Sequence, residues 1–583
     1  MFAILHSPAA MKRAARFAMA LERAGARLAR PRRAPAATPQ ERLAQERLAQ
    51  ERLAQAQALV ARNPAPRAWR ALFWAAEQAV DAETAESALA GFEAALESAR
   101  PRGVALGHLG LMTRAPLGQA ALAARLIPPS PSSFSPSTAP RRVAYVLNNA
   151  PPETTNGYAM RSHGMIGGLR ALGFEVAAVT RPGFPGDLSP DRDPGAAAAP
   201  ETVVYDGVRY QRIAAPRKRG RPVAAYVAAA ADALEARLRV LDPAAVMAAS
   251  NHMTALPALI AARRLGLPFV YEVRGFWEIT HAARDPRFAA SAAFAAQRRL
   301  ETLTARGADA VLTLNGAMRD EIIARGAAAD RVLIAPNCCD AARLRPIPRD
   351  RALAARLGLP TETTGDAPGD APGDAPVIGY VGAFADYEGL DDLAAACARL
   401  KAQGAAFRLL LVGGEGPHHA AAGPIAAQLR AIAAAGGFAD WLIMPGRAPQ
   451  TEIAAYYSLI DIAPFPRRPC AVCELVSPLK PLEAMAMARP LVVSDVRPLA
   501  ELAADSGGAI TVEKGSVAAL AAGLARLMAD GDLRARLGQA GRAWVAAERD
   551  WSCAAGAAAA AMALAQTRQA ARQGAAQAMA QEG

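Results

Sequence analysis

Residues 142–179 read RVAYVLNNAPPETTNGYAMRSHGMIGGLRALGFEVAAV. Arg142–Leu147 is a short apolar run of the kind that forms a buried strand. A polar loop follows, then a helical pattern from about Tyr158 to Leu172, then a second apolar run, Glu175–Val179. Strand, loop, helix and strand in that order build a parallel pair. The unit recurs as Ala245–Ala248, a helix after Thr254 and Phe269–Val273, and again as Ala310–Leu314, a helix and Val332–Ala335. A second series begins after Pro346: Val377–Val381, Phe407–Val412, Trp441–Met444, Ile460–Ala463 and Leu491–Val493, with helical stretches between them, the first from Leu390. The two series predict an α/β protein with two Rossmann-like domains, residues 141–345 and 346–550, facing a cleft.

Working outward, residues 128–140 (PPSPSSFSPSTAP) form a Pro/Ser linker, and residues 1–127 read as a helical extension. Within it ERLAQ occurs three times over Glu41–Gln55. A five-residue period does not hold one face of a helix with 3.6 residues per turn, so this is an expanded low-complexity helix and not a repeat domain. Residues 64–100 resemble two amphipathic helices broken near Asp81. Residues 365–376 repeat GDAP three times and predict an exposed loop between the two domains. Residues 551–583 read as a C-terminal helix and tail, fraying after about Gln566.

The chain has 583 residues, 52% hydrophobic and 20% charged, which rules out a wholly disordered protein. No uninterrupted apolar run reaches the ~20 residues that span a bilayer. Lys12, Arg13 and Arg16 stand where a secretory signal needs an apolar centre, and six cysteines make no disulfide scaffold, so a cytoplasmic protein is expected. Residues 1–40 carry eight basic side chains against one acid, more than half of the net +13. The charge is thus a terminal feature and does not point to nucleic acid. Together with an apolar stripe through Met11, Leu21 and Leu28, it fits either an anionic membrane surface or packing against residues 64–100. The first alternative would place the protein at the inner face of the plasma membrane. Only five of the 66 basic residues are lysine, a bias expected of GC-rich bacterial coding.

Cys473–Met487, CELVSPLKPLEAMAM, carries the densest chemistry. A Pro-containing loop leads into a helix starting near Pro481, with Lys480 before it and Glu483 in its first turn. A helix start with a mobile cation suits a phosphate, and an acid there suits a ribose diol. Pro at the first helical position and Glu at the third are also an ordinary helix start.

The run Pro481–Asp495 (PLEAMAMARPLVVSD) resembles the donor site of retaining GT-B glycosyltransferases, specifically glycosyltransferase family 4. The resemblance extends through Ala335–Asp340 (APNCCD), Ile378–Leu390, Leu409–Pro417 and Gly446–Arg447, and covers about residues 142–550. It implies a GT-B fold and transfer of a sugar from a UDP- or GDP-type sugar to a saccharide or lipid-linked acceptor, as in cell-surface polysaccharide synthesis, with no metal and no other cofactor. In that family two glutamates bracket the donor loop, and the second, which binds ribose, matches Glu483. The first falls on Leu475, with Glu474 one residue out of register. The family's Arg and Lys for the diphosphate fall on Ala383 and Glu388, so both are missing. Lys480 is the substitute of choice, with Arg447, Arg467 and Arg468 as second choices, although an Arg in a loop such as PFPRRP is ordinarily solvated; Ser477 lies in the same loop as Lys480. An inactive sugar-nucleotide-binding scaffold of the same fold, or a sugar-nucleotide epimerase, is the alternative.

In the first domain, Asn156 and Gly157 resemble the family's glycine-rich phosphate loop, and Tyr158, Arg161 and His163 follow on the helix start as acceptor contacts. His252 and Glu278 follow strands and are the catalytic candidates beside Lys480. Arg274 and Trp277 complete the acceptor side, with Trp277 as a sugar platform. A salt bridge beneath a loop would account equally well for Arg274 and Glu278. Cys470 and Cys473 have metal-like spacing without a second pair, and Asp191 and Asp193 spell DxD in a Pro/Gly/Ala loop, so neither predicts a metal.

Overall fold

A computed structural model of the chain describes residues 39–98, 103–128, 141–188, 201–359, 361, 375–415 and 423–582. The stripe and charges of residues 1–38, most of the Pro/Ser linker, most of the GDAP repeat and the Asp191/Asp193 pair lie outside the described residues.

The first sheet has eight strands: β1 (Arg142–Leu147), β2 (Glu175–Thr180), β3 (Thr202–Tyr205), β4 (Val208–Gln211), β5 (Ala245–Ala249), β6 (Phe269–Glu272), β7 (Ala310–Thr313) and β8 (Val332–Ile334). Their order is β3-β4-β2-β1-β5-β6-β7-β8, parallel throughout except that β3 pairs antiparallel with β4. Residues of β1, β5, β6 and β7 are almost wholly buried, because helices cover both faces of a parallel sheet. The β3–β4 hairpin is not anticipated by the strand–helix alternation. Its strands are four residues each and joined by Asp206–Gly207, both at positive φ.

The second domain carries β9 (Val377–Ala383), β10 (Arg408–Gly414), β11 (Leu442–Gly446), β12 (Ala463–Phe465), β13 (Leu491–Ser494) and β14 (Ala509–Val512). They pair in parallel as β11-β10-β9 and β12-β13-β14. A parallel bridge between Ile378 and Ile462 joins the two halves into one layer. Ile460–Ala463, expected as a strand, mostly precedes β12: Ile460 packs over Gly379 of β9, and Ile462 makes the single bridge to Ile378. The last strand, β14, was not anticipated either.

The extension forms helices over Pro39–Arg62, Pro66–Ala79, Ala82–Ser98, Gly103–Met112 and Pro116–Ala124. Their apolar residues, among them Phe73, Leu89, Phe92 and Leu117, share one core with Tyr226, Leu234, Leu259 and Leu300 of the first domain. Gln119 Oε1 accepts from Ala224 N at 3.1 Å, and Arg299 pairs with Glu86 at 2.9 Å. The ERLAQ helix buries Leu53 but leaves Leu48 exposed, as a five-residue period dictates.

The C-terminal helix, Trp551–Glu582, continues through Gln566 and crosses back onto the first domain. It lies directly on helix Gly157–Ala171: a Cβ at Gly164 would collide with the Trp551 ring, and one at Gly168 would sit 2.9 Å from Ala555 Cβ. The two inter-domain connections are bonded to each other, Cys339 N donating to Arg549 O at 2.8 Å.

Candidate functional site

Each sheet has one place where neighbouring strands run on to opposite sides: between β1 and β5 in the first domain, and between β9 and β12 in the second. The loops leaving the carboxyl ends there diverge and open a crevice, which is where open α/β sheets bind ligands. The residues at these two points define the candidate site.

At the β1 point, Asn156 caps the helix Gly157–Ala171, its Oδ1 accepting from Ala159 N at 3.0 Å. Asn156 and Gly157 are exposed, and Leu479 of the second domain lies 3.0 Å from where a Gly157 Cβ would sit. A glycine here lets the two domains approach closely. Tyr158 reaches Ser250 at the end of β5 (3.3 Å), meets Trp277 edge-on with ring centres 6.5 Å apart, and has the Arg274 guanidinium 4.5 Å over its face. Trp277 is 38% exposed, so an aromatic surface faces solvent beside the β1–β5 crevice.

Beneath this surface lies a buried charge network. Glu272, at the end of β6, accepts from Arg161 Nε at 2.9 Å and from Arg274 Nη2 at 2.7 Å, and also from the Tyr145 hydroxyl. Burial pushes its carboxyl up, but the two guanidinium groups outweigh that and hold it at about 2. Arg161 also donates to Ala335 O (2.7 Å) and Pro336 O (2.7 Å), which ties the helix to the inter-domain connection. Arg274 donates to Tyr158 O at 2.7 Å and Ser162 Oγ at 2.9 Å.

At the β9 point, the Lys480 chain runs over Gly382, where a Cβ would collide with its Cδ and Cε. Its ammonium donates to Ala383 O at 3.2 Å, to Glu388 Oε1 at 3.2 Å and to the Tyr380 hydroxyl. Glu388 is buried and also accepts from Arg467, Nη2 to Oε1 at 3.2 Å. Burial raises the Glu388 carboxyl, yet Arg467 and then Lys480 hold it at about 2. Two cations share one anion, so the cluster keeps one unit of positive charge at the mouth of β9. Burial lowers the Lys480 ammonium, and Glu388 offsets this.

Glu483, one turn further on, is half-buried and accepts from the Tyr457 hydroxyl at 3.3 Å. Burial pushes its carboxyl up to about 7, with Tyr457 and Lys480 opposing. Ser477 faces the first domain: its Oγ accepts from Asn315 Nδ2 at 2.6 Å and its carbonyl from Asn337 Nδ2 at 2.7 Å. Arg467 Nη1 donates to Val476 O at 2.9 Å. The donor loop is thereby clamped from both domains.

The sequence matches two family descriptions, one in each domain: a glycosyl transferase 4-like domain over residues 156–338, and glycosyl transferases group 1 over residues 363–544. The chain belongs to the GT-B glycosyltransferases. It is 29% identical over 262 residues to a 2-deoxystreptamine glucosyltransferase of Streptomyces kanamyceticus, a stretch that covers 44% of this chain and 61% of that relative. Among solved structures, sucrose-phosphate synthase of Thermosynechococcus elongatus superposes with a TM-score of 0.54 at 19% identity, covering 75% of this chain and 99% of that one. Anabaena HepE, in complex with UDP and glucose, gives 0.52 at 14%, covering 72% and 99%. Starch synthase IV of Arabidopsis thaliana, bound to ADP and acarbose, gives 0.54 at 13%, covering 73% and 99%. At these identities the likeness is one of fold.

Several sequence-predicted residues of this glycosyltransferase lie elsewhere than at the cleft surface. Glu278 is fully buried, its Oε1 accepting from Arg325 at 2.7 Å, with Arg325 stacked on Phe276 at 4.0 Å. It is a structural ion pair, because the inward face of helix Trp277–Arg284 carries it. His252 is buried at a helix start, its backbone N and Nδ1 both on Glu301 Oε1 at 2.8 and 3.1 Å. His163 packs on the β3–β4 hairpin, bonded to the Tyr210 hydroxyl at 2.8 Å, and burial lowers its pKa. Arg161 and Arg274 are buried in the Glu272 network, with Arg274 lying against the inner side of Tyr158. Glu474 pairs with Lys514 at 2.7 Å and accepts from Arg497 N at 3.0 Å, away from Lys480 and Glu483. Arg447 is exposed at the end of β11. Sequence reasoning did not single out Glu272, Asn315, Asn337 or Tyr457, and it named Glu388 and Arg467 separately without pairing them. Asn337 lies inside the APNCCD run and Tyr457 in the helix that follows the Gly446–Arg447 match, but their partners are distant in sequence.

Proposed function

We propose that the protein is a retaining, family 4 glycosyltransferase that moves a sugar from a UDP- or GDP-type sugar to a saccharide or lipid-linked acceptor. Cell-surface polysaccharide synthesis on the inner side of the plasma membrane is the process that suits it. The observation that carries this reading is the position of Lys480. Its ammonium touches Ala383 and Glu388, the two positions where the family's basic pair is missing. A cation has therefore been supplied from a different stretch of chain to the same place in space.

In this reading Glu483 accepts hydrogen bonds from the ribose, and the diphosphate lies between Lys480 and the Asn156–Gly157 turn. As the sugar–phosphate bond breaks, negative charge builds on the leaving diphosphate. The uncompensated positive charge of the Lys480–Glu388–Arg467 cluster stabilises it, and more strongly in a water-poor cleft. The charge comes from the protein, so the reading invokes no metal or other cofactor. Trp277 and Tyr158 offer the acceptor sugar an apolar face. Arg161, Arg274 and Glu272 act as a rigid floor beneath it.

The test is release of nucleoside diphosphate from a panel of UDP- and GDP-sugars by the purified protein, with nucleotide-induced thermal stabilisation measured in parallel. Release with at least one donor, abolished in Lys480→Ala, is expected. Nucleotide stabilisation without any release would favour an inactive sugar-nucleotide-binding protein, and neither response would remove the donor-site assignment.

A further inference from the structure

The loop after β4 carries Arg217, Lys218, Arg219 and Arg221, four cations in five residues with no acid among them. Arg217, Arg219 and Arg221 are exposed and Lys218 is half-buried. None of the four has a salt-bridge partner among the described residues. Surface arginines elsewhere in the molecule are commonly paired, as Arg264 is with Asp232 at 2.7 Å and Arg497 with Asp320 at 2.9 Å.

The loop is held firmly: the Arg217 guanidinium lies over Gly186 and Lys218 is half-buried, while Arg219 and Arg221 are exposed. Asp187, whose side chain is wholly buried, accepts from Lys218 N at 3.1 Å and Arg219 N at 3.4 Å, and takes Arg181 Nη1 at 2.7 Å. Arg181 in turn donates to Asn148 Oδ1 at 3.2 Å, and Arg212 pairs with Glu153. Asn148 and Glu153 belong to the loop that leads to Asn156. Because β4 runs parallel to β2 and β2 to β1, the cationic loop emerges on the carboxyl edge, the same edge as the cleft. Two strand spacings, about 10 Å, separate β4 from β1. Leu188, 45% exposed, follows Asp187, which bonds to the loop.

A firmly held cationic tip without a salt-bridge partner among the described residues, with an exposed leucine beside it, suits a flat, anionic, partly apolar surface better than a single small anion. We propose that Arg217, Lys218, Arg219 and Arg221 dock this protein on a bilayer rich in anionic phospholipid, presenting the acceptor side of the cleft to the membrane. Only the consequence, delivery of a lipid-linked acceptor, rests on the glycosyltransferase reading; the docking itself does not.

The experiment is co-sedimentation of the full chain with vesicles of phosphatidylglycerol and phosphatidylcholine, against vesicles of phosphatidylcholine alone, at low and at high salt. The wild type is expected to bind the anionic vesicles only, and less at high salt. The variant R217Q/K218Q/R219Q/R221Q is expected to partition roughly 600-fold less, from roughly a fivefold loss for each of the four cations, while releasing nucleoside diphosphate from donor as the wild type does. The variant folds if it retains that release, or its melting temperature should release prove absent in both proteins. Equal binding by the two proteins would overturn the proposal and move membrane contact to another segment. Absence of wild-type binding at low salt would overturn it, as would displacement by soluble glycerol phosphate, which would mark a pocket for a free anion.

Discussion

Glu483 offers the sharpest test of the donor site, because its ionisation and its role are linked. In the folded protein its carboxyl titrates at about 7, against 4.5 ordinarily, since burial disfavours the charged form. A carboxylate accepts both hydroxyls of a ribose diol, whereas the protonated acid does so less well. Nucleotide affinity should therefore rise as the group ionises. About a tenth is ionised at pH 6 and about nine tenths at pH 8, so affinity is expected to climb about tenfold over that interval. Glu483→Gln removes a charged acceptor worth about 1.5–3 kcal/mol, which lowers affinity about ten- to 150-fold at pH 8 and flattens the pH dependence. The effect on stability has the opposite sense. A carboxyl raised above its unfolded value favours folding below the unfolded pKa, and that contribution is lost as pH rises towards about 7. Glu483→Gln is thus expected to melt at or above the wild-type temperature at pH 8. Isothermal titration with UDP and GDP at pH 6, 7 and 8, with melting curves alongside, measures both. An unchanged affinity in the variant, or a wild-type affinity flat in pH, would refute the ribose assignment and leave Glu483 as part of a helix start.

Lys480→Ala is expected to lower turnover far more than nucleoside affinity, read as kcat against KM in a diphosphate-release assay. Glu388→Lys, which would restore a basic residue at a family position, is expected to impair both turnover and thermal stability, because it leaves Arg467 and Lys480 facing a third cation. Arg161→Ala strips one of two cations from the buried Glu272 and is expected to cost about 3–5 kcal/mol in chemical denaturation. Trp277→Ala is expected to raise the acceptor KM while leaving donor hydrolysis intact, once an acceptor is in hand. Cys470, whose thiol is lowered to about 6 by a hydrogen bond from Cys473, is expected to be alkylated by iodoacetamide with a pH midpoint near that value, well below an ordinary cysteine.

Much of the architecture is written locally in the chain. Apolar runs such as Arg142–Leu147 and Val377–Val381 alternate with helical patterns, and each must bury its apolar residues against the next, so a parallel α/β arrangement follows from spacing alone. The hairpin of β3 and β4 escaped because four-residue strands carry too little periodicity. The Glu483 helix start and the loop before it were legible for the same reason as the strands: each is defined within a dozen residues. What only the tertiary structure decided is which charges meet. Lys480 and Glu388 are 92 positions apart, Arg161 and Glu272 are 111 apart, and Asn315 reaches Ser477 across 162. No local pattern encodes such pairs, since the strand order of each sheet brings them together. The same closure turned Glu278, Arg274 and His252, which the sequence offered as cleft residues, into buried partners of Arg325, Glu272 and Glu301. A charged residue at a strand's carboxyl end can point into the cleft or beneath it, and only the packing of the next helix fixes which.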